Sequence, residues 1–219
     1  MTRIFRILGL AMLGLILPTS VAATIVTSHL GSDEELQDML PEESVAFIAE
    51  GRIGDGGSGE VYELGLGQNT TAPDVTAQYA WETSATEEFT LSYDKVLNEA
   101  RLVLGGNTLS YSPDLLFVEI FLRAAAVGEN TSVSISGLYL GGESVADSCV
   151  ATGADGLDIL RISGAALLDG FTLTGEVTMT WSGSPPTGDQ LSFQARVGSP
   201  DPLVATDTKT WGWIKSRYR

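Results

Sequence analysis

Between Gly170 and Gly183 the chain alternates strictly between apolar and polar positions. Phe171, Leu173, Val177, Met179 and Trp181 fall on one side, and Thr172, Thr174, Glu176, Thr178 and Thr180 on the other. A period of two with one apolar side predicts a strand that buries one face and wets the other. Similar runs recur at Val45–Ile53, Glu60–Leu66, Ala77–Thr83, Phe89–Tyr93, Arg101–Leu104, Thr108–Tyr111, Leu115–Arg123, Ser132–Leu140, Leu157–Ile162 and Leu191–Val197. Clusters of Gly, Asn, Asp and Pro separate them and read as turns, and Gly105-Gly106-Asn107 predicts a hairpin. About ten or eleven strands with short links predict an all-β fold, an antiparallel two-sheet β-sandwich with jelly-roll-like connections. No helical period alternates with the strands, which argues against a parallel α/β fold.

Two segments depart from this pattern. Thr24 to Ser44 reads as a leader with one short helix: Ser32 can cap it, Glu35 follows three residues on as in a capping box, Asp33 and Glu34 suit the positive helix start, and Pro41 closes it. Ahead of it, Arg3 and Arg6 precede the apolar stretch Ile7–Leu17, Pro18 ends that stretch, and Ser20-Val21-Ala22-Ala23 supplies small residues. This is the plan of an export signal cleaved after Ala22 or Ala23, and the stretch falls short of the roughly 20 residues a membrane span needs. The expected organisation is therefore a signal peptide at 1–23, a leader at 24–44, a sandwich at 45–198 and a tail at 199–219. The protein is expected to be secreted or displayed at the cell surface.

Charge narrows the partners. The net charge is −16 over 219 residues. The signal holds two of the twelve basic residues and none of the 28 acidic ones, so the chain after it carries −18. Such a surface repels nucleic acid and anionic lipid. Extracellular polysaccharide or a surface protein is the expected partner, and nothing in the sequence after the signal provides an evident membrane anchor. One cysteine, Cys149, rules out an internal disulfide, so the core alone must hold the fold. Cys149 is expected to be a small buried residue.

The chemistry on offer is sparse. Gly54-Asp55-Gly56-Gly57-Ser58-Gly59-Glu60-Val61 fits the glycine-rich loop of protein kinases, but the lysine, the His-Arg-Asp loop and the Asp-Phe-Gly that this chemistry needs do not follow. The glycines read as a turn between strands. His29 is the only histidine and is expected to lie outside the sandwich, so no Ser-His-Asp or Cys-His set and no zinc site is expected. Glycoside hydrolysis needs only two carboxylates, and Glu50, Glu60, Glu63, Glu82, Glu87, Glu88, Glu119 and Glu176 are all available, with nothing to choose among them. No catalytic residue is assigned and the protein is expected not to be an enzyme. Calcium is the one cofactor the composition allows, with Asp147, Asp155 and Asp158 as candidate oxygen ligands. Trp81, Tyr79 and Trp181 are candidate sugar-stacking residues, the alternative being that they belong to the core. Asn69-Thr70-Thr71 and Asn130-Thr131-Ser132 are formal glycosylation sequons.

The order of several segments resembles the choice-of-anchor W domain family of exported bacterial proteins. The resemblance rests on Phe47-Ile48-Ala49-Glu50-Gly51-Arg52-Ile53-Gly54-Asp55, Ala77-Gln78-Tyr79-Ala80-Trp81, Asp155-Gly156-Leu157-Asp158-Ile159-Leu160-Arg161-Ile162-Ser163, Gly170-Phe171-Thr172-Leu173-Thr174-Gly175 and Phe193-Gln194-Ala195-Arg196-Val197-Gly198. It implies an extracellular domain and no catalytic assignment. Some members of such families end in a Pro-Glu-Pro motif, an apolar helix and a basic tail. Here Ser199-Pro200-Asp201-Pro202 is followed only by a basic, aromatic end, which favours a released protein. Together these readings lead to a non-enzymatic structural or adhesive domain of the cell surface or extracellular matrix, with a carbohydrate-binding module, with or without calcium, as the alternative.

Overall fold

The computed structural model describes residues 24–53, 62–69, 71–154, 156–164, 167, 169–186 and 191–200. The expected signal peptide, the glycine loop at 54–59, Asp155 and most of the tail lie outside the described residues. The elements run in the order β1 (Val26–Leu30), α1 (Asp33–Met39), a 3-10 turn (Glu42–Ser44), β2 (Val45–Ile53), β3 (Leu64–Gly67), β4 (Val75–Ala77), β5 (Thr86–Asp94), β6 (Glu99–Leu104) and β7 (Asn107–Tyr111). They continue with β8 (Glu119–Ala126), β9 (Ser132–Leu140), β10 (Glu143–Ser144), β11 (Cys149–Thr152), β12 (Gly156–Ser163), β13 (Phe171–Thr180) and β14 (Leu191–Gly198).

The strands form two antiparallel sheets of seven, an all-β sandwich. The first has the order β1-β12-β8-β14-β2-β3-β4; the second has β10-β9-β13-β5-β6-β7, with β11 also on β9. Four pairs are nested, each inside the last: β2 with β14, β5 with β13, β8 with β12, and β9 with β11. First-with-last pairing of eight strands, divided between two sheets, is the connectivity of a jelly roll. β3, β4, β6 and β7 extend this frame as meanders, and β6 turns into β7 through Gly105 and Gly106, whose φ values of 55° and 77° are those a tight hairpin turn requires.

The alternation holds through β13 and one residue beyond it: Phe171, Leu173, Val177, Met179 and then Trp181 enter the core, where they meet Phe89, Leu91, Leu122 and Phe193 from other strands. Two expectations need correcting. The run at Ala77–Thr83 is a strand only to Ala77, because from there the chain leaves the first sheet and crosses to β5 in the second. The segment before Val45 is not a leader outside the sandwich. β1 pairs along its whole length with β12 and is an edge of the first sheet, which brings His29 into the fold. α1 follows with the expected cap: Ser32 Oγ accepts from Glu35 N at 3.1 Å, and Glu35 Oε2 accepts from Gly31 N at 2.8 Å. Among the described residues no helix is long and apolar enough to cross a membrane.

α1 lies on the outer face of the first sheet. Leu36 and Leu40 from the helix and its end join Leu30, Val45, Ile48, Phe121 and Ile159 in a second apolar cluster, separate from the core between the sheets. β2 and β8 are therefore buried on both faces, which explains why their sequences read as nearly continuous apolar runs.

Candidate functional site

The outer face of the first sheet also carries the densest polar construction among the described residues. Inward positions on β14 are Leu191, Phe193, Ala195 and Val197, so Ser192, Gln194 and Arg196 point outward. Their register partners on β2 are Arg52, Glu50 and Ile48, and on β8 Ala125, Arg123 and Phe121. Pairing thus sets Glu50, Gln194 and Arg123 side by side in one row, with Arg196 in the next.

A chain of hydrogen bonds runs across these rows. Tyr62 Oη donates to Glu50 Oε1 at 2.8 Å, and Gln194 Nε2 donates to Glu50 Oε2 at 3.1 Å. Arg196 donates to Gln194 Oε1 through Nε at 3.1 Å and Nη2 at 2.9 Å. Glu50 is only 2% exposed; a buried carboxylate is tolerable because both its oxygens accept hydrogen bonds. Gly65 lets this arrangement close, since a Cβ there would come within 3.2 Å of Glu50 Oε1 and 2.8 Å of Pro73. The Arg52 guanidinium lies 3.7 Å above the Tyr62 ring and holds it over the sheet. Arg123 forks onto Asp33, the first residue of α1, with two bonds of 2.6 Å. That guanidinium holds the Asp33 carboxyl below its usual range. Burial, and then the nearby Arg123, lower the pKa of Arg196, while Asp33, Glu50 and Glu42 act in the opposite direction.

Between α1 with its following 3-10 turn and the β3–β4 connection lies a groove of about 570 Å³. Its floor is Ile48, Val45 and Arg196; Asp33, Gln37, Glu42 and Glu43 form one wall, and Gln68, Asn69 and Thr71 the other. The second wall is shaped by Asp74, whose Oδ2 accepts from Gln68 N, and by Asn69, whose Oδ1 accepts from Ala72 N. An apolar strip with a cation at its base, carboxylates on one side and amides with a hydroxyl on the other suits a polar, multiply hydrogen-bonding ligand.

The residues expected from sequence lie elsewhere. Trp181 is buried in the core. Tyr79 and Trp81 are half-buried and meet edge to face, with centroids 4.8 Å apart and planes at 83°. Trp81 continues edge-on to Phe193 and lies against Gly51, where a Cβ would come within 2.8 Å of its ring. Its Nε1 is buried without a hydrogen-bond partner. Tyr79 and Trp81 meet at right angles and pack half-buried against the core, so they do not make one flat stacking platform.

Of the expected calcium ligands, Asp147 accepts from Thr27 Oγ1. Asp158 is engaged at both oxygens, by His29 Nδ1 at 2.8 Å and Val150 N at 2.8 Å. Both aspartates thus tie β1 and β11 to the edge of the sandwich. Among the described residues no group of three or more His, Cys, Asp or Glu is placed to hold a metal ion. Cys149 is fully buried, with its Sγ 3.0 Å from Asp158 O, and burial pushes its thiol up to about 12. Glu119, nominated among the acids, forms a two-point ion pair with Arg161.

Sequence reasoning missed Arg196 and Gln194. The available signal was their phase: polar residues at alternate positions of a strand whose other positions are all apolar. No family model matches the chain, and no curated protein matches it in sequence.

Proposed function

We propose that the protein is an exported, non-enzymatic β-sandwich that acts at the cell surface or in the surrounding matrix, where it holds a polar partner in the groove beside α1. The groove itself carries this reading, because its cation, acids and amides converge on one cleft over an apolar strip. Export is supported by the N-terminal sequence and by the resemblance, on the quoted segments, to the choice-of-anchor W domain family. The same groove supports the carbohydrate-binding alternative better than Tyr79 and Trp81 do, since amides, carboxylates and Arg196 match the hydroxyl pattern of a saccharide.

The test is binding of the exported chain, residues 24–219, to a broad glycan array and to cell-wall polymer, beside the Arg196→Leu and Asn69→Ala variants. Saturable binding that both substitutions weaken supports the groove. Binding that neither variant changes, or none at all by a folded protein, removes it. Recovery of the protein from cytoplasm with residues 1–23 intact would sink the extracellular assignment.

A further inference from the structure

Among the described residues, eight large hydrophobic side chains are exposed, and five of them lie at one end of the sandwich. Val96 and Leu97, 94% and 69% exposed, form the tip of the β5–β6 turn; Leu115 and Leu116, 37% and 66% exposed, lie in the β7–β8 connection; Val26 begins β1. The fold brings them together. Asn98 Nδ2, next to Leu97, donates to Pro113 O at 3.1 Å, and the Tyr93 ring meets Phe117 with centroids 4.7 Å apart. Leu115 and Leu116 are thus strung between two points anchored beside the turn. Val26 belongs to the row that runs through Ser163, Glu119 and Gly198, the row into which that connection leads.

The tip is built rather than frayed. Asp94 Oδ1 accepts from both Val96 N and Leu97 N, at 2.8 and 3.0 Å. Lys95 pairs with Asp169 at 2.8 Å, and Tyr93 Oη donates to Asn98 Oδ1 at 3.0 Å. With those two amides satisfied inside the loop, the cost of carrying its backbone into an apolar phase falls. Both ends of the described chain also leave from this end: Thr24 lies two residues before Val26, and Pro200 two residues after Gly198. Beyond Pro200 the sequence combines Trp211, Trp213 and Tyr218 with Lys215, Arg217 and Arg219, a composition suited to a membrane–water interface.

We propose that this end of the sandwich is a lipid-contacting face: Val96, Leu97, Leu115 and Leu116 enter the interfacial layer of a bilayer. Asp94, Asp114 and Asp169 flank them, and the chain after the signal is strongly acidic, so the bilayer that fits carries zwitterionic rather than anionic headgroups.

The experiment is flotation of residues 24–219 with phosphatidylcholine vesicles at physiological salt, beside a variant carrying Val96→Ser, Leu97→Ser, Leu115→Ser and Leu116→Ser. All four side chains are exposed, so the variant should keep its melting temperature within a few degrees. Its partition coefficient should fall at least about a hundredfold, taking roughly tenfold for each pair of half-immersed aliphatic side chains. Equal flotation of the two proteins would assign binding to the tail and overturn the proposal, and so would a wild type that does not float. A wild type that dimerises at micromolar concentration and a variant that does not, with neither floating, would make the face a contact between copies and also overturn it.

Discussion

Leu36→Ala tests whether the outer face of the first sheet is a real second core. α1 has seven residues, a length of about 10 Å, and helices this short do not persist in water unaided. Leu36 is 1% exposed within the cluster of Leu30, Leu40, Val45, Ile48, Phe121 and Ile159. Truncating its isobutyl side chain to a methyl in a site walled by a rigid sheet should cost about 2–5 kcal/mol. Alanine is the better helix former, so propensity cannot supply the loss. The cost has a ceiling, because α1 can leave the sheet while the core between the sheets stays intact. We expect global stability to fall by about 2–3 kcal/mol in denaturant melts, towards the lower end of that range. Hydrogen exchange should show the amides of 33–39 losing protection while those of β13 keep most of theirs. Binding in the groove should weaken in parallel, since α1 is one of its walls. Leu91→Ala, in the core between the sheets, should lower protection everywhere. A loss below about 1 kcal/mol with helix amides still protected would refute the claim that the apolar seat holds α1.

Three further outcomes follow from other parts of the molecule. Cys149 should resist iodoacetamide in the native protein at pH 8 and react fully in guanidinium, since its thiol is buried and pushed up to about 12; rapid native labelling would contradict that placement. Burial, with Glu87 hydrogen-bonded and Glu82 nearby, pushes the Tyr79 phenol up to about 12. The folded-state value exceeds the unfolded one of about 10, so this contribution to stability is whole below pH 10 and is lost as pH rises through 12. Absorbance at 295 nm should show a late step that Tyr79→Phe removes, and an unchanged curve would count against it. Glu88 and Glu176 stand opposite each other on β5 and β13, a like-charge pair, so Glu176→Lys should stabilise by about 0.5 kcal/mol, less in high salt; destabilisation in a denaturant melt would mean that the repulsion is not felt.

Much of the sandwich was legible because its signal is local. β2 and β9 carry the bounds that alternation and turn residues predict, and β13 keeps its phase throughout. The capping box of α1 is equally local. What failed needed information from across the fold. β1 has a mixed pattern, with Val26 exposed and only Leu30 buried, because an edge strand lies against a single neighbour. β10 and β11 are too short to show a period. Trp81 and Trp181 attracted notice as chemistry, yet Trp181 continues the inward row of β13 and Trp81 packs half-buried against Phe193. The groove was illegible for a different reason. Arg196 shares the groove with Glu42, Asn69 and Asp33, residues that only the folding of α1 and the β3–β4 connection over the β2–β14 pair brings together.

One sequence feature nevertheless foretold the groove indirectly. An antiparallel sandwich normally wets its outer faces, as β13 does with its threonines. β2 reads Val-Ala-Phe-Ile-Ala-Glu-Gly-Arg-Ile, with all but one residue buried, and β8 is nearly as apolar. Two strands buried on both faces in a fold of two layers require a third layer above them. Among the described residues one α-helix, at 33–39, is available, just ahead of β2. Leu36 and Leu40 supply what Ile48 and Phe121 need, and the cover ends where the polar row of Glu50, Gln194 and Arg123 begins. A short lid over part of a sheet leaves a step at its edge, and the groove is that step. Arg196 lines that step, while Gln194 and Glu50 behind it are buried and hold it by a chain of hydrogen bonds, so polar side chains collect beside α1 as well as on the threonine face of the second sheet.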